Sequence, residues 1–134
     1  MFAKFSPASG RVLRAAEQEC RNHNHYYIGV DHLLLALVQE SYDSIAAHLV
    51  QDGIDPTEVH TEVRRALGTG EDRSWEGILV TPRVRAIVGI AAERSGDAPI
   101  EPVHLLEAIV EEGNSRAAEI LHRVKERNKV PAAE

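Results

Sequence analysis

One stretch of ten residues occurs twice in this chain. The first copy, 31–40, reads DHLLLALVQE, and the second, 103–112, reads VHLLEAIVEE, with six of the ten positions identical. A repeat of this kind indicates a chain built from two similar units. In the first copy, Leu33 to Val38 is apolar on every side of a helix, and such a helix must be enclosed by other helices. The repeat therefore predicts an all-α fold of two similar helical bundles.

Helix starts are marked by pairs of a capping residue and a proline. An N-cap residue followed by proline at the first helical position is a typical start signal, and apolar residues with helical spacing follow each pair. The pairs are Ser6-Pro7, Asp55-Pro56, Thr81-Pro82 and Glu101-Pro102. Thr81-Pro82 restarts the pattern of Ser6-Pro7. We predict about seven helices, because the second repeat has no counterpart of the helix that starts after Asp55.

The chain of 134 residues has the length of one domain. We expect repeat one at 5–67, a linker at 68–80, repeat two at 81–127 and a tail at 128–134. The linker contains three glycines and the only tryptophan, Trp75, without helical spacing. Trp75 is expected to pack back on the domain, and the alternative is that it binds a partner.

Composition and charge exclude several classes of protein. The net charge of −6 lacks the clustered basic residues of a nucleic-acid footprint. No apolar run approaches 18 residues and no secretory leader is recognisable, so we expect a cytoplasmic protein without a membrane segment, and a monomer. The single cysteine, Cys20, is expected to be a buried apolar residue, with a reactive thiol as the alternative.

No common catalytic signature is present. No glycine is followed by lysine, so there is no Walker A loop, and the chain also lacks G-x-S-x-G, H-E-x-x-H and C-x-x-C. We therefore predict a protein that is not an enzyme and needs no cofactor or metal. His23, His25 and His32 leave a metal site open as an alternative. His32 and His104 begin equivalent helices, where an imidazole can bind unpaired loop backbone, and are expected to be structural.

The chain resembles the Clp N-terminal domain, the double repeat at the front of ClpC and ClpA unfoldases. The resemblance covers Met1 to about Val124 and includes Phe2-x-x-Phe5 and Thr81-Pro82-Arg83. Its main motif is HYYIGVDHLL at 25–34, close to the family's N-Y-I-G-T-E-H-I-L-L. The resemblance implies an all-α domain of two pseudo-twofold repeats, without catalytic activity, that binds substrates and adaptors for an ATP-driven unfoldase.

The resemblance also implies a candidate site. In the ClpC members, the glutamate before histidine in each repeat is implicated in holding phosphorylated arginine. Asp31 stands at this position in repeat one, and Val103 stands there in repeat two. A carboxylate pairs with a guanidinium and valine cannot, so we expect one weak site near Asp31. Val30, Phe2 and Phe5 are further candidates for peptide contact. The alternative is that Asp31 only stabilises the first turn of its helix.

Three functional hypotheses follow from the sequence. The first is a free-standing recognition module that serves as an adaptor or decoy for a ClpC-like unfoldase or its substrates. The second is that the sequence is the front of a longer Clp-type ATPase. The third is a small metal-dependent or ligand-sensing enzyme built on the histidine cluster.

Overall fold

The computed structural model describes residues 4–23, 25, 27–69 and 79–129, and at 42, 128 and 129 it describes the backbone only. The described residues form seven helices and two strands of two residues each, which confirms the predicted all-α fold. The helices are α1 (Pro7–Asn22), α2 (Val30–Glu40), α3 (Tyr42–Gln51), α4 (Pro56–Leu67), α5 (Pro82–Ser95), α6 (Pro102–Glu112) and α7 (Arg116–Lys129). The strands are β1 (Tyr27–Ile28) and β2 (Leu79–Val80). No helix among these ranges has both the length and the apolar composition needed to cross a membrane.

The helices start where the cap-and-proline pairs predict. The side chains of Ser6, Asp55 and Thr81 accept hydrogen bonds from the backbone N–H groups of Ser9, Thr57 and Val84, respectively. Each of these bonds satisfies a donor that the first turn of a helix leaves free.

Helix α2 is enclosed, as its composition predicts. Each residue from Leu33 to Val38 is at most 2% exposed. Helix α2 contacts α1, α3, α4, α6 and α7. Helix α6 is its counterpart in the second repeat and packs against α5, α3, α7 and α2. The two copies of the ten-residue repeat therefore form the centre of the domain.

Two short parallel pairings relate the repeats. Strand β1 leads into α2 and pairs with β2, which leads into α5. Phe5 lies just before α1 and pairs in the same parallel sense with Ile100, which lies before α6. Each pairing joins the segment before the first helix of one repeat to the segment before the second helix of the other. Leu79 and Val80, assigned to the linker from the sequence, thus belong to this pairing.

Helix α4 gives the first repeat a fourth helix. It packs against α2 and α7, and Glu58 and Glu62 on α4 form ion pairs with Arg123 and Arg127 on α7. The described part of the second repeat ends with α7 and contains no helix equivalent to α4. Helix α7 continues through 128 and 129, which the sequence had assigned to the tail.

Candidate functional site

Asp31 lies in the first turn of α2 and is 8% exposed. Its Oδ2 atom accepts a hydrogen bond from Nε of Arg116 at 2.7 Å and also contacts Nη2 of the same guanidinium. Its Oδ1 atom is buried and has no hydrogen-bond partner within the described residues. The carboxylate predicted to receive a guanidinium from a ligand therefore already holds one from its own chain.

Arg116 is the first residue of α7, and its side chain is 55% exposed. The preceding Ser115 caps α7, because its Oγ atom accepts a hydrogen bond from the N–H of Ala118 at 3.1 Å. The ion pair between Arg116 and Asp31 thus joins the second repeat to the first. The carboxylate is its buried partner and the guanidinium its solvent-facing partner.

A pocket of about 310 Å³ lies beside this ion pair. It is bounded by the N-terminal ends of α2, α5 and α7, and each of these ends carries a partial positive charge from aligned peptide dipoles. Arg83 adds a guanidinium, which is paired with Glu112 at 2.7 Å. The lining residues are Tyr27, Gly29, Val30, Asp31, His32, Leu67, Thr81, Arg83, Asn114, Ser115 and Arg116. The pocket thus combines one carboxylate with several groups that attract anions.

His32 and His104 make the same backbone contact. Nδ1 of His32 accepts a hydrogen bond from the N–H of Gly29 at 3.0 Å, and Nδ1 of His104 accepts one from the N–H of Glu101 at 2.9 Å. In each case the histidine is the third residue of its helix, and its imidazole accepts a hydrogen bond from the backbone N–H of the N-cap residue. A glutamate makes the same bond in a capping box.

His32 has a second contact that His104 lacks. Its Nε2 atom lies 2.7 Å from Nδ1 of His25 in a buried hydrogen bond. Because Nδ1 of His32 is an acceptor, the proton of the neutral ring is on Nε2, which donates to His25. Removal from water, together with the nearby His25, His23 and Arg116, lowers the pKa of His32 to about 4. Burial also lowers the pKa of His25, and His23 contributes to that change.

The histidines proposed as an alternative metal site have other contacts. Nδ1 of His23 lies 3.0 Å from the carbonyl oxygen of Glu19. Nδ1 of His25 and Nε2 of His32 form a hydrogen bond with each other. In the ranges that the structure describes, no three His, Cys, Asp or Glu side chains are grouped as metal ligands.

Cys20 is fully buried, and its thiol donates a hydrogen bond to the carbonyl oxygen of Tyr27 at 2.8 Å. Burial raises the pKa of the thiol to about 12, so the thiolate is scarce at neutral pH. This environment fits the predicted buried apolar role and not the reactive alternative.

The other candidate residues lie at different places. Val30 lines the pocket and is 6% exposed. Phe5 packs against the core and pairs with Ile100, outside the pocket lining. Phe2 and Trp75 lie outside the described residues. Val103 is partly buried and brings no charged group to the equivalent place in the second repeat.

Sequence reasoning missed Arg116, which is separated from Asp31 by 85 residues. One local signal was present. A cation in the first turn of a helix is disfavoured by the helix dipole, and Arg116 occupies that position. Such a residue indicates an acidic partner elsewhere in the fold, although the sequence does not identify which one.

The described fold and pocket define an all-α domain of two related helical repeats. The family described as Clp repeat (R) N-terminal domain matches residues 4–124, and the chain belongs to this family. The predicted resemblance is thereby confirmed.

Two curated relatives are each 30% identical over 128 residues and 92% of this chain. They are the chaperone protein ClpB of Oceanobacillus iheyensis and the negative regulator of genetic competence ClpC/MecB of Bacillus subtilis. The chain spans 16% of the length of each relative.

Solved structures share the fold. The N-terminal domain of the chaperone ClpD from Arabidopsis thaliana superimposes with a TM-score of 0.69 at 19% identity, covering 92% of this chain and 88% of that one. A chain from structural work on a malarial protein secretion system gives a TM-score of 0.73 at 18% identity, covering 95% of this chain and 90% of that one.

Proposed function

We propose that this domain is a non-enzymatic recognition module of the Clp chaperone–protease system, acting as an adaptor or decoy for an unfoldase or its substrates. The observation that carries the proposal is the family match over residues 4–124. The partner is a protein or peptide, namely a ClpC-like unfoldase, an adaptor or a client. The domain acts as a cytoplasmic monomer and does not engage nucleic acid or membrane.

A reconstituted degradation assay tests this role. A ClpC-like unfoldase with its protease degrades a fluorescent client while the domain is titrated in. An adaptor accelerates loss of fluorescence at substoichiometric amounts. A decoy slows it in proportion to its concentration. An unchanged rate over the whole titration, together with no unfoldase or client recovered by affinity capture from the source lysate, would contradict both roles.

A second candidate is that the sequence is the front of a longer Clp-type ATPase. It is favoured by the curated relatives, of which the chain spans only 16%. The reading frame of the gene beyond the codon for Glu134 tests it. Elemental analysis of the purified protein tests the metal-enzyme alternative, which predicts a stoichiometric metal.

We further propose that the pocket beside Asp31 binds phosphorylated arginine, as the resemblance to ClpC members suggests. The ligand's guanidinium would replace that of Arg116 against the Asp31 carboxylate. Arg116 is more than half exposed, so its side chain can turn outward without opening the core. It would then pair with the phosphoryl group, together with Arg83 and the helix N-termini.

Displacement of an internal partner makes this binding weak. The ligand must break the partly exposed pair between Arg116 and Asp31 before it forms its own, so this exchange contributes less than a new pair would and the phosphate contacts contribute the rest. The same reasoning predicts that unphosphorylated arginine binds still more weakly, because it offers nothing to the released Arg116. Val103 offers no carboxylate, so one site is expected in the whole domain.

Titration calorimetry with phosphoarginine and with arginine tests the site. Asp31→Ala should weaken phosphoarginine binding by about two- to tenfold, because the variant loses only the difference between the ligand's pair with Asp31 and the pair with Arg116 that it replaces. Arg116→Ala should strengthen arginine binding, because Asp31 is then unoccupied, and should reduce the preference for phosphoarginine over arginine, because one phosphate contact is lost. Val103→Ala is the matched control and should change neither. Two equivalent sites, or phosphoarginine binding unaffected by Asp31→Ala, would contradict the assignment.

A further inference from the structure

The two copies of the ten-residue repeat differ in the burial of their C-terminal ends. Val38 and Val110 occupy the same position in α2 and α6. Val38 is 2% exposed, whereas Val110 is 57% exposed. Val38 and Gln39 face Pro56, Thr57 and His60 at the start of α4. The second repeat has no equivalent of α4 among the described residues, so the place that α4 takes over Val38 is open over Val110.

A groove of about 310 Å³ occupies this open place. Its apolar part is formed by Ile54, which follows α3, by Val110 on α6, and by Ala118 and Leu121 on α7. Ile54, Ala118 and Leu121 are otherwise buried core residues, at most 9% exposed. A side chain resting on Val110 would therefore extend the existing core.

The charged residues around the groove differ in whether they have partners. Asp52 lies at its edge, 3.7 Å from Nε2 of His48. Glu107 and Glu111 on α6 both pair with Arg94, at 3.4 and 2.7 Å. Glu107 and Glu111 are therefore engaged within the domain, and Asp52 lies near the imidazole of His48.

The basic groups at the α7 edge of the groove have no acidic partner in the part of the chain that the structure describes. His122 and Lys125 line the groove and form no ion pair with any described residue. On the other edge of α7, the basic residues Arg123 and Arg127 form ion pairs with acidic residues of α4. The groove thus offers an apolar floor and an unpartnered basic edge.

We propose that this groove binds an amphipathic helix of a partner protein, with an aliphatic stripe over Val110 and acidic residues facing His122 and Lys125. The helix takes the position in repeat two that α4 takes in repeat one. This surface lies apart from the Asp31 pocket, with which it shares no lining residue. Helix binding at the groove can therefore be tested independently of phosphoarginine binding.

Helix α4 itself supplies the probe. Its sequence, DPTEVHTEVRRAL at 55–67, carries the aliphatic residues Val59, Val63 and Leu67, with Glu58 and Glu62 beside them. A free peptide of this length is mostly unfolded, so a hydrocarbon-stapled, fluorescein-labelled version is titrated with the full chain and followed by anisotropy. Saturable binding at a ratio of one to one is expected.

Variants of the protein locate the bound peptide. Val110→Glu should weaken binding at least about tenfold, because a charge replaces the apolar centre of the contact. Lys125→Glu should weaken it about two- to fivefold, as expected for an exposed ion pair. Val50→Glu is the matched control, because Val50 is 63% exposed but does not line the groove, and it should leave binding unchanged. Circular dichroism of each variant verifies that it is folded.

Other results would overturn the proposal. Failure of the wild-type protein to bind the peptide at millimolar concentration would do so. Binding that survives Val110→Glu would mean that the peptide displaces α4 instead. A peptide with lysine at the positions of Glu58 and Glu62 that binds as well as the original would remove the charge argument. Sedimentation equilibrium covers one further occupant, since a dimer abolished by Val110→Glu would assign the groove to a second copy of the chain.

Discussion

Acid should destabilise the fold through the buried pair of His25 and His32. Water exclusion favours the neutral imidazole in the folded state, and protonation of Nδ1 of His32 would also break its bond to the N–H of Gly29. The folded pKa of His32 is about 4, against 6.5 in the unfolded chain. As pH falls below 6.5, the unfolded state takes up the proton first. The stabilisation is thus complete above pH 6.5 and is lost between 6.5 and about 4.

The size of the effect follows from this interval. Each pH unit is worth about 1.4 kcal/mol for one proton, so the free energy of unfolding should fall by about 3 kcal/mol over the range from 6.5 to about 4. The burial of His25 adds a change of the same sign. A domain of this size is stable by about 5–15 kcal/mol, so the loss is a substantial fraction.

Urea unfolding followed by circular dichroism at several pH values measures this dependence. His32→Gln removes the titration and keeps an acceptor for the N-cap N–H, as in a capping box. Its stability should fall less steeply with acid than that of the wild type. His104→Gln is the matched control, because His104 accepts the same N-cap bond without a histidine partner, and it should change the slope less than His32→Gln does. A difference between wild type and His32→Gln that stays constant from pH 7 to pH 4 would refute the reasoning.

Three further predictions concern stability and activity. Val38→Ala should lower the free energy of unfolding by about 1.5–2 kcal/mol, because it removes buried methyl groups. Val110→Ala, at the equivalent exposed position, should change it by less than about 0.5 kcal/mol. Equal losses in urea unfolding would contradict the difference in burial. Gly113→Ala should cost about 1 kcal/mol in the same assay, because Gly113 ends α6 with a φ of 74°, and an unchanged midpoint would argue against this conformation. Purified protein should not hydrolyse ATP above a mock preparation, because the sequence contains no Walker A motif.

Most of the fold could be predicted from the sequence, because the residues that start the helices and form the central ones are recognisable in short segments. The cap-and-proline pairs set the starts of four helices, and the apolar repeat identified the two central ones. The pairing of β1 with β2 was not accessible, because each strand is only two residues long and shows no alternation of polar and apolar residues. Gly53 and Gly113 follow α3 and α6 and adopt the positive φ that glycine favours after a helix, so glycine at these places is a further local signal.

The candidate site was accessible only in part. Asp31 followed from a family pattern, and the loss of the second carboxylate at Val103 followed from comparing the two repeats. The ion pair with Arg116 did not, because it depends on the contact of α7 with α2 across the repeats. The partnership of His25 with His32 was also missed, because the two residues were considered as metal ligands or as separate structural groups.

Equivalent positions in the two halves of the domain differ in burial and in charge. Leu35 in α2 is fully buried, and its counterpart Glu107 in α6 has a side chain that is 31% exposed and paired with Arg94. Together with Val38 and Val110, this pair shows that α2 is covered on the faces where α6 is open. The half with the covered helix keeps the carboxylate at its start, and the half with the open helix has valine there. A duplicated domain of this kind need not hold two copies of one site, because each half can keep a different surface for its partners.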